Sequence, residues 1–405
     1  SRQKPCNSSP VIANVKSKGA LPTCPIFMRA AMGASIESAF ACAVPRPTPS
    51  AAATDRPPRW SLLSSAAAGA QGRIFVASAD GSSLLAVDCL SIQDGGVGAA
   101  AKAGDAVQTI RIDPPLPSEV HQLAVSSGSQ YAAVVGTFGV AVAELAGLGL
   151  EGTRSCRANP LGRELFATRT SLRILRVAWH PQSHAHLAVL TDDGTFRLFN
   201  VVASPDHAEQ EVSLEPANSA RAVDFAFAEG LGWEAFTVRF LFDDGSVYAL
   251  CPLVPFGSRV QSSFLDELEV DTGNDATTGS WLQQAFAAGG AGLVPVGRAA
   301  AGGGRLSTAS LLDATRRART HAMEGASPAL QGPLACTPPA ALSPGERAQS
   351  LAMLTTGVGC TVATIATSAG RVLTALQVGD VGPTWRVGSG ARRRYDPHGA
   401  PLGIA

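Results

Sequence analysis

Three histidines, His180, His184 and His186, fall within seven residues, and imidazoles at that density are the first feature of the chain that could hold a metal ion. A zinc site needs three or four Cys, His or carboxylate ligands converging on one point. No Cys or paired carboxylate stands nearby in sequence. His180, in Trp179-His180-Pro181 after an apolar run, reads instead as a cap on backbone groups, and His184 and His186 as loop residues. Gly147-Leu148-Gly149-Leu150-Glu151-Gly152 matches the G-x-G-x-x-G pattern of dinucleotide-binding turns. That chemistry needs a helix starting there, so that its N-terminus can hold pyrophosphate. The following Thr153-Arg154-Ser155-Cys156-Arg157-Ala158-Asn159-Pro160 will not start one, so the segment reads as a loop between repeats. Asp192-Asp193 and Asp243-Asp244 resemble acid–base pairs, but each pair precedes a glycine in a hairpin, where Asp side chains bond to turn backbone. No nucleophile elbow and no P-loop signature occurs. This reading assigns no catalytic residue, no metal and no cofactor.

The elements that would position these residues form a repeat of apolar strand, tight turn and second strand. Ile74–Ser78 meets Ala79-Asp80-Gly81 and Ser82–Asp88; His186–Thr191 meets Asp192-Asp193-Gly194 and Thr195–Asn200. Ala235–Phe242 meets Asp243-Asp244-Gly245 and Ser246–Leu250; Thr361–Thr367 meets Ser368-Ala369-Gly370 and Arg371–Leu376. A looser copy is Tyr131–Gly136, Thr137-Phe138-Gly139 and Val140–Leu145. Glycine after Asp supplies the positive φ of a tight hairpin, and the flanks are β-branched or aromatic. The strand before each turn is almost wholly apolar, which predicts burial on both faces; Thr195-Phe196-Arg197-Leu198-Phe199 alternates, which predicts one wet face. Successive turn glycines, Gly81, Gly139, Gly194 and Gly245, lie 58, 55 and 51 residues apart. A four-stranded propeller blade takes roughly 40–50 residues. The expected fold is therefore all-β, a WD40-like β-propeller over residues 59–405, with helical and loop insertions. Ser263–Phe286 is expected to form one or two short surface helices, while residues 287–305 and 337–347 read as loops.

Composition bounds the function. Lys plus Arg (32) equal Asp plus Glu (32), which gives no electrostatic footprint for direct nucleic-acid binding. No run approaches the roughly 18 apolar residues of a membrane span. Eight scattered cysteines without a C-x-x-C pair read as buried free thiols in a reducing compartment. Residues 1–58, rich in Ala, Pro, Ser and Arg with only Glu37 and Asp55 as acids, read as a disordered leader or a mis-predicted start, with an organelle-targeting peptide as the lesser alternative. Trp179, Trp233 and Trp385 are expected to pack between strands, and Arg392-Arg393-Arg394 to lie in a solvated tail. The Pro-rich apolar segment containing Pro252, Pro255 and Phe256 is the candidate for a partner-binding surface.

The stretch from Leu172 to Asn200 has the grammar of a WD40-like blade. More specific words surround it: Gly232-Trp233-Glu234-Ala235-Phe236-Thr237-Val238, Asp244 through Gly257, Cys156-Arg157 with Pro160–Phe166, Leu330–Leu334, and Val378–Trp385. In order, these resemble the nucleoporin 88 family, in particular its plant and algal members, over about residues 60 to 385. The resemblance implies a seven-bladed propeller at the cytoplasmic face of the nuclear pore complex. It implies no enzyme but a scaffold in mRNA export and protein transport, whose propeller binds a phenylalanine-glycine nucleoporin tail and an autoproteolytic nucleoporin domain. Two features depart from the family: the leader, and the end at Ala405 before any coiled-coil region, which reads as a truncated chain. A generic WD40-like adaptor, or an organellar propeller enzyme, are the alternative readings.

Overall fold

A computed structural model describes residues 73–78, 81–88, 107–116, 119–145, 154–215, 219–228, 230–273, 275–286, 315–317, 326–337, 342–355 and 361–387. The leader, the G-x-G-x-x-G segment, the loop at 287–305 and the triple-arginine tail lie outside the described residues, as do residues 338–341 of the second loop.

Five blade-like antiparallel sheets follow one another among the described residues, and the fold is an all-β propeller. Blade 1 contains Arg73–Ala77, Ser83–Asp88 and Val107–Asp113; blade 2 contains Val120–Val125, Tyr131–Gly136 and Gly139–Glu144. Arg154–Leu161 serves both: its first half pairs in parallel with Val107–Asp113, its second half antiparallel with Gly139–Glu144. Blade 3 is Ile174–Trp179, His186–Thr191, Thr195–Asn200 and Ser204–Ser213. Blade 4 is Ala222–Phe227, Val238–Phe242, Val247–Leu250 and Leu330–Gln331, and blade 5 is Ala348–Thr355, Thr361–Thr367, Val372–Gln377 and Cys336–Thr337.

The hairpins fall where the apolar runs and turn residues place them. Gly81, Gly194, Gly245 and Gly370 all have positive φ, between 66° and 86°. Residues Ala235 and Phe236 depart from the expected strand, because Gly232–Phe236 forms a 3-10 turn and the strand begins at Val238. The expected wet face of Thr195–Asn200 is also corrected: Thr195 through Phe199 are all buried, with Phe196 and Leu198 packed on one face, Phe199 on the other, and Arg197 neutralised by Asp193 and Glu211. Wetting by alternation is seen instead in Val372–Gln377.

Period-two alternation assigns each strand's two faces to two different neighbours. Ala132 and Val134 pack towards blade 1 with Phe75, Leu84 and Ile110, whereas Ala133 and Val135 pack towards blade 3 with Leu187 and Val189. Phe196 and Leu198 then meet Phe225, Phe240 and Phe242 of blade 4, and Leu241 and Val247 meet Leu351 and Ile365 of blade 5. A strand buried on both faces must be apolar on both, which is why these runs do not alternate. Two helices inserted after blade 4, α1 (Ser262–Thr272) and α2 (Ala276–Phe286), are buried along Leu265, Leu268, Trp281, Leu282 and Phe286. Trp281 packs between Trp233 and Trp385, tilted against both with centroids 6.4 and 5.3 Å away, so the expected aromatic packing ties these helices to blade 4.

The innermost strands share a feature that the apolar pattern does not announce. Each of the four strands starting at Val120, Ile174, Ala222 and Ala348 carries a register shift one residue after its start. The residues just past the shifts are Gln122, Arg176, Asp224 and Ser350. Gln122 donates to the Val177 carbonyl (2.6 Å) and accepts from the Val177 amide (3.1 Å). Asp224 accepts from the Leu351 amide (2.7 Å) and the Ser350 hydroxyl (2.9 Å). Between these joints stands Arg176, which has no acceptor to offer blade 4. There Asp224 takes its own neighbour's Phe225 amide (2.8 Å), and Arg176 Nε approaches the same oxygen at 3.3 Å. Burial pushes the Asp224 carboxyl above the usual carboxylate range, against the opposing pull of Arg176 and the donors from Leu351, Ser350 and Phe225.

Asp224→Ala leaves Arg176 and the Leu351 amide without their buried acceptor. Arg176 is partly exposed and can turn to solvent, so the cost is that of the buried Leu351 amide left unsatisfied, about 1–3 kcal/mol, whereas Ser350→Ala, which removes one neutral donor, costs about 1 kcal/mol. Urea unfolding of both variants checks this; equal midpoints for Asp224→Ala and the parent would contradict it.

Candidate functional site

The Pro-rich segment leaves blade 4 at Leu250 and crosses to blade 3. Along it, the Leu253 amide bonds to the Phe236 carbonyl (2.8 Å), and Gln210 Nε2 donates to the Val254 carbonyl (2.7 Å). Glu209 then holds the far end, one carboxylate oxygen accepting from the Phe256 amide (2.8 Å) while the other faces His186 Nε2 (3.0 Å). Ser183 Oγ bonds to His186 Nδ1 at 2.7 Å and completes the line. Pro252 and Pro255 are buried, together with Leu253 and Val254, and only Phe256 and Gly257 are partly exposed. The segment is thus a strap between two blades, and Phe256 is the member of the expected trio that reaches solvent.

The three histidines do not converge. His180 Nδ1 accepts from the Gln182 amide (3.1 Å), which leaves Nε2–H to donate to the Leu253 carbonyl (3.3 Å). This is the backbone cap expected at Trp-His-Pro, extended to the strap. His184 Nδ1 meets Ser127 Oγ of a blade 2 loop (2.8 Å), and His186 faces Glu209. Among the described residues no three His, Cys, Asp or Glu are grouped to hold a metal ion. The Asp pairs perform turn chemistry: Asp192 accepts from the Arg173 amide (2.9 Å), Asp243 from the Arg221 amide (3.0 Å), and Asp193 and Asp244 from the amides two residues on. In blade 5, Ser368 accepts from the Arg347 amide (3.0 Å) in the same place. Cys156 and Cys251 are buried free thiols whose burial pushes them up to about 11 and about 12, outside the range of reactive thiolates.

Two of the concave surfaces among the described residues lie at the inner strands and beside the inserted helices. The central channel, about 520 Å³, is lined by Gln122, Arg176, Trp179, His180, Phe227 and Met353 from four inner strands. A groove of about 570 Å³ lies between the 3-10 turn, the two helices and residues 380–383, and carries Glu234, Asp271, Asp275 and Asp380. At its edge Leu231 is 85% exposed. Neither was legible as a site, because each gathers residues from elements far apart in sequence. The polar residues missed by the apolar pattern, Gln122, Asp224, Glu209 and Arg239, all lie within strands. Arg239 is fully buried, donating to both oxygens of Glu234 (2.6 Å) and to Gln377 of blade 5 (2.6 Å).

Burial holds the His180 imidazole down to about 3 in the fold, against an ordinary value of 6.5. Because the folded value is depressed, the contribution is complete above pH 6.5 and falls as pH drops towards 3, by about 1.4 kcal/mol per pH unit in that window. His180→Gln has no such term. The stability gap between parent and variant therefore narrows from pH 7 to pH 4.5 in denaturant titrations, and a gap independent of pH would contradict the buried neutral imidazole.

Comparison with known proteins bears on the same region. The model of the nuclear pore component family Nup88 matches residues 66–229. A nuclear pore complex protein NUP88 of Arabidopsis thaliana is 27% identical over 321 residues, which are 71% of this chain and 38% of the relative. The chain thus spans well under half the length of that curated relative. Among solved structures, the Chaetomium thermophilum heterotrimeric complex of Nup82 NTD, Nup159 TAIL and Nup145N APD matches with a TM-score of 0.58 at 16% identity, covering 89% of this chain and 73% of that one. That likeness speaks for the fold. The family model overlaps the first part of the region, about residues 60 to 385, in which the resemblance is read, and over residues 66–229 the chain is similar to the Nup88 family of nuclear pore components.

Proposed function

We propose that this propeller, over residues 59–405, is a non-enzymatic scaffold of the nuclear pore complex that binds other nucleoporins at the cytoplasmic face and thereby supports mRNA export and protein transport. What supports the reading most is the match to a protein named for the nuclear pore across 71% of the chain. The Chaetomium propeller of like fold is crystallised with a Nup159 tail and a Nup145N APD domain. By analogy, the partners proposed for this chain are a phenylalanine-glycine nucleoporin tail and an autoproteolytic nucleoporin domain. The physical chemistry is compatible: polar side chains are spent on bonds between blades, so the molecule is a rigid frame presenting outer strands and loops. Phe256, with Pro252 and Pro255 buried beneath the same strap, is the proposed partner contact on the strap itself.

Crosslinking the tagged chain in its own cells, followed by mass spectrometry, should recover nucleoporins with crosslinks on the propeller. Phe256→Ser should reduce that recovery while leaving the unfolding midpoint within about 1 kcal/mol of the parent, as for a partly exposed side chain. Recovery of an unrelated assembly without nucleoporins would overturn the reading.

A further inference from the structure

Among the described residues on the wall of the central channel, Arg176 carries the only charge, since His180, also on that wall, is held neutral by burial. The other polar side chains there are spent on the protein itself. Gln122 is taken at both ends by Val177, and Trp179 Nε1 donates to the Ala124 carbonyl (3.0 Å). His180 bonds to Gln182 and Leu253, and Ser127 Oγ meets His184.

Arg176 is engaged at one atom. Its Nε, closed to solvent, faces Asp224 Oδ1 at 3.3 Å. The terminal nitrogens Nη1 and Nη2 meet no acceptor among the described residues, and unlike Nε they are not shut off from solvent; the side chain is 36% exposed. Arg176 follows the register shift of Ile174–Trp179, the innermost strand of blade 3, and so stands on the channel wall. Asp224 also serves Leu351, Ser350 and Phe225, which leaves the guanidinium charge only partly balanced. Around this one free donor edge the wall is apolar, with Trp179 from blade 3, Phe227 from blade 4 and Met353 from blade 5. Small-ligand sites have this composition, apolar walls with few placed polar groups, and the volume of about 520 Å³ falls within their range of about 300–1,000 Å³.

We infer that the central channel binds a carboxylate carried on an apolar body, the carboxylate accepting from Nη1–H and Nη2–H of Arg176 and the body lying against Trp179, Phe227 and Met353. The planar fork matches a planar carboxylate in two parallel bonds, and a single cation suits a monoanion better than a phosphate dianion. The Nε contact with Asp224 holds the guanidinium in place before the ligand arrives, which lowers the ordering cost of binding. Met353, unbranched and polarizable, can adapt to the shape of the body. The inference does not rest on the nuclear-pore reading and uses neither the strap nor the groove beside the inserted helices.

Such a carboxylate belongs either to a free acid or to the C-terminus of a peptide, and two probes separate the sources. 3-Phenylpropionate and N-acetylphenylalanine are titrated into the 405-residue chain and followed by saturation-transfer NMR and calorimetry. At least one acid should bind, with 3-phenylpropanol and 3-phenylpropylamine roughly tenfold weaker or worse. Tighter binding of N-acetylphenylalanine assigns the site to a peptide C-terminus, and tighter binding of 3-phenylpropionate to a free acid. Arg176→Gln should weaken the acid by roughly tenfold. Because that variant also deprives Asp224 of its cation, Ala352→Trp is the second: Ala352 is an exposed wall residue, so an indole there fills the channel with Arg176 intact. It should abolish binding at an unchanged unfolding midpoint. Equal binding of acid and alcohol, full affinity in either folded variant, or no binding of either acid to the folded chain (a channel filled by water alone) would each overturn the inference.

Discussion

An inner propeller strand has a free edge, and its backbone groups there must find partners that no further strand provides. In this chain the partner at one repeated point is a side chain from the preceding blade. Gln122 takes the amide of Val177, and Asp224 takes that of Leu351. The register shift at the start of the inner strands of blades 2 to 5 is what aims these side chains sideways instead of into a blade face, in keeping with the use of β-bulges to redirect a side chain. At the joint where an arginine stands in the aiming position, Asp224 bonds its own neighbour's amide, and the arginine closes on the same carboxylate. The polar stitching thus runs from blade 2 to blade 5, while apolar layers fill the space between blades.

Chemistry is limited by this arrangement. Carboxylates and imidazoles that might have served catalysis are occupied by backbone: Asp192, Asp193, Asp243 and Asp244 in turns, His180 on Gln182 and Leu253, Glu209 on Phe256 and His186. Such bonds rigidify a frame. The apolar face of blade 5 beyond the stitched joint is unlike the others, with Leu354, Val372 and Leu376 exposed.

Hairpin positions were legible because Asp-Gly turns and doubly apolar strands are local signals; so were the two inserted helices and the packing role of Trp233 and Trp385. The 3-10 turn at Gly232–Phe236 was not, since Trp233, Ala235 and Phe236 are as apolar as the strand that follows, and only the positive φ at Gly232 separates them. The wet face predicted for Thr195–Asn200 failed because Arg197 reads as a solvent residue while its charge is taken up by Asp193 and Glu211. Nor could the strap be recognised from Pro252, Pro255 and Phe256 alone: its burial depends on Glu209 and Gln210, more than forty residues earlier. Gln122 and Asp224 are polar residues near the starts of otherwise mainly apolar strands, visible as a repeat only once the strands are superposed by structure.

The stitching is tested most directly by amide hydrogen exchange at Val177 and Leu351, resolved by NMR in the parent chain. Both amides lie on strand edges that face the channel, so without a partner they would exchange with loop-like rates. The account predicts protection comparable to that of amides inside the strand ladders, because opening them requires separating two blades. Rapid exchange at both positions, with the neighbouring ladder amides still protected, would show that the inner edges are open and that the blades are held by apolar packing alone.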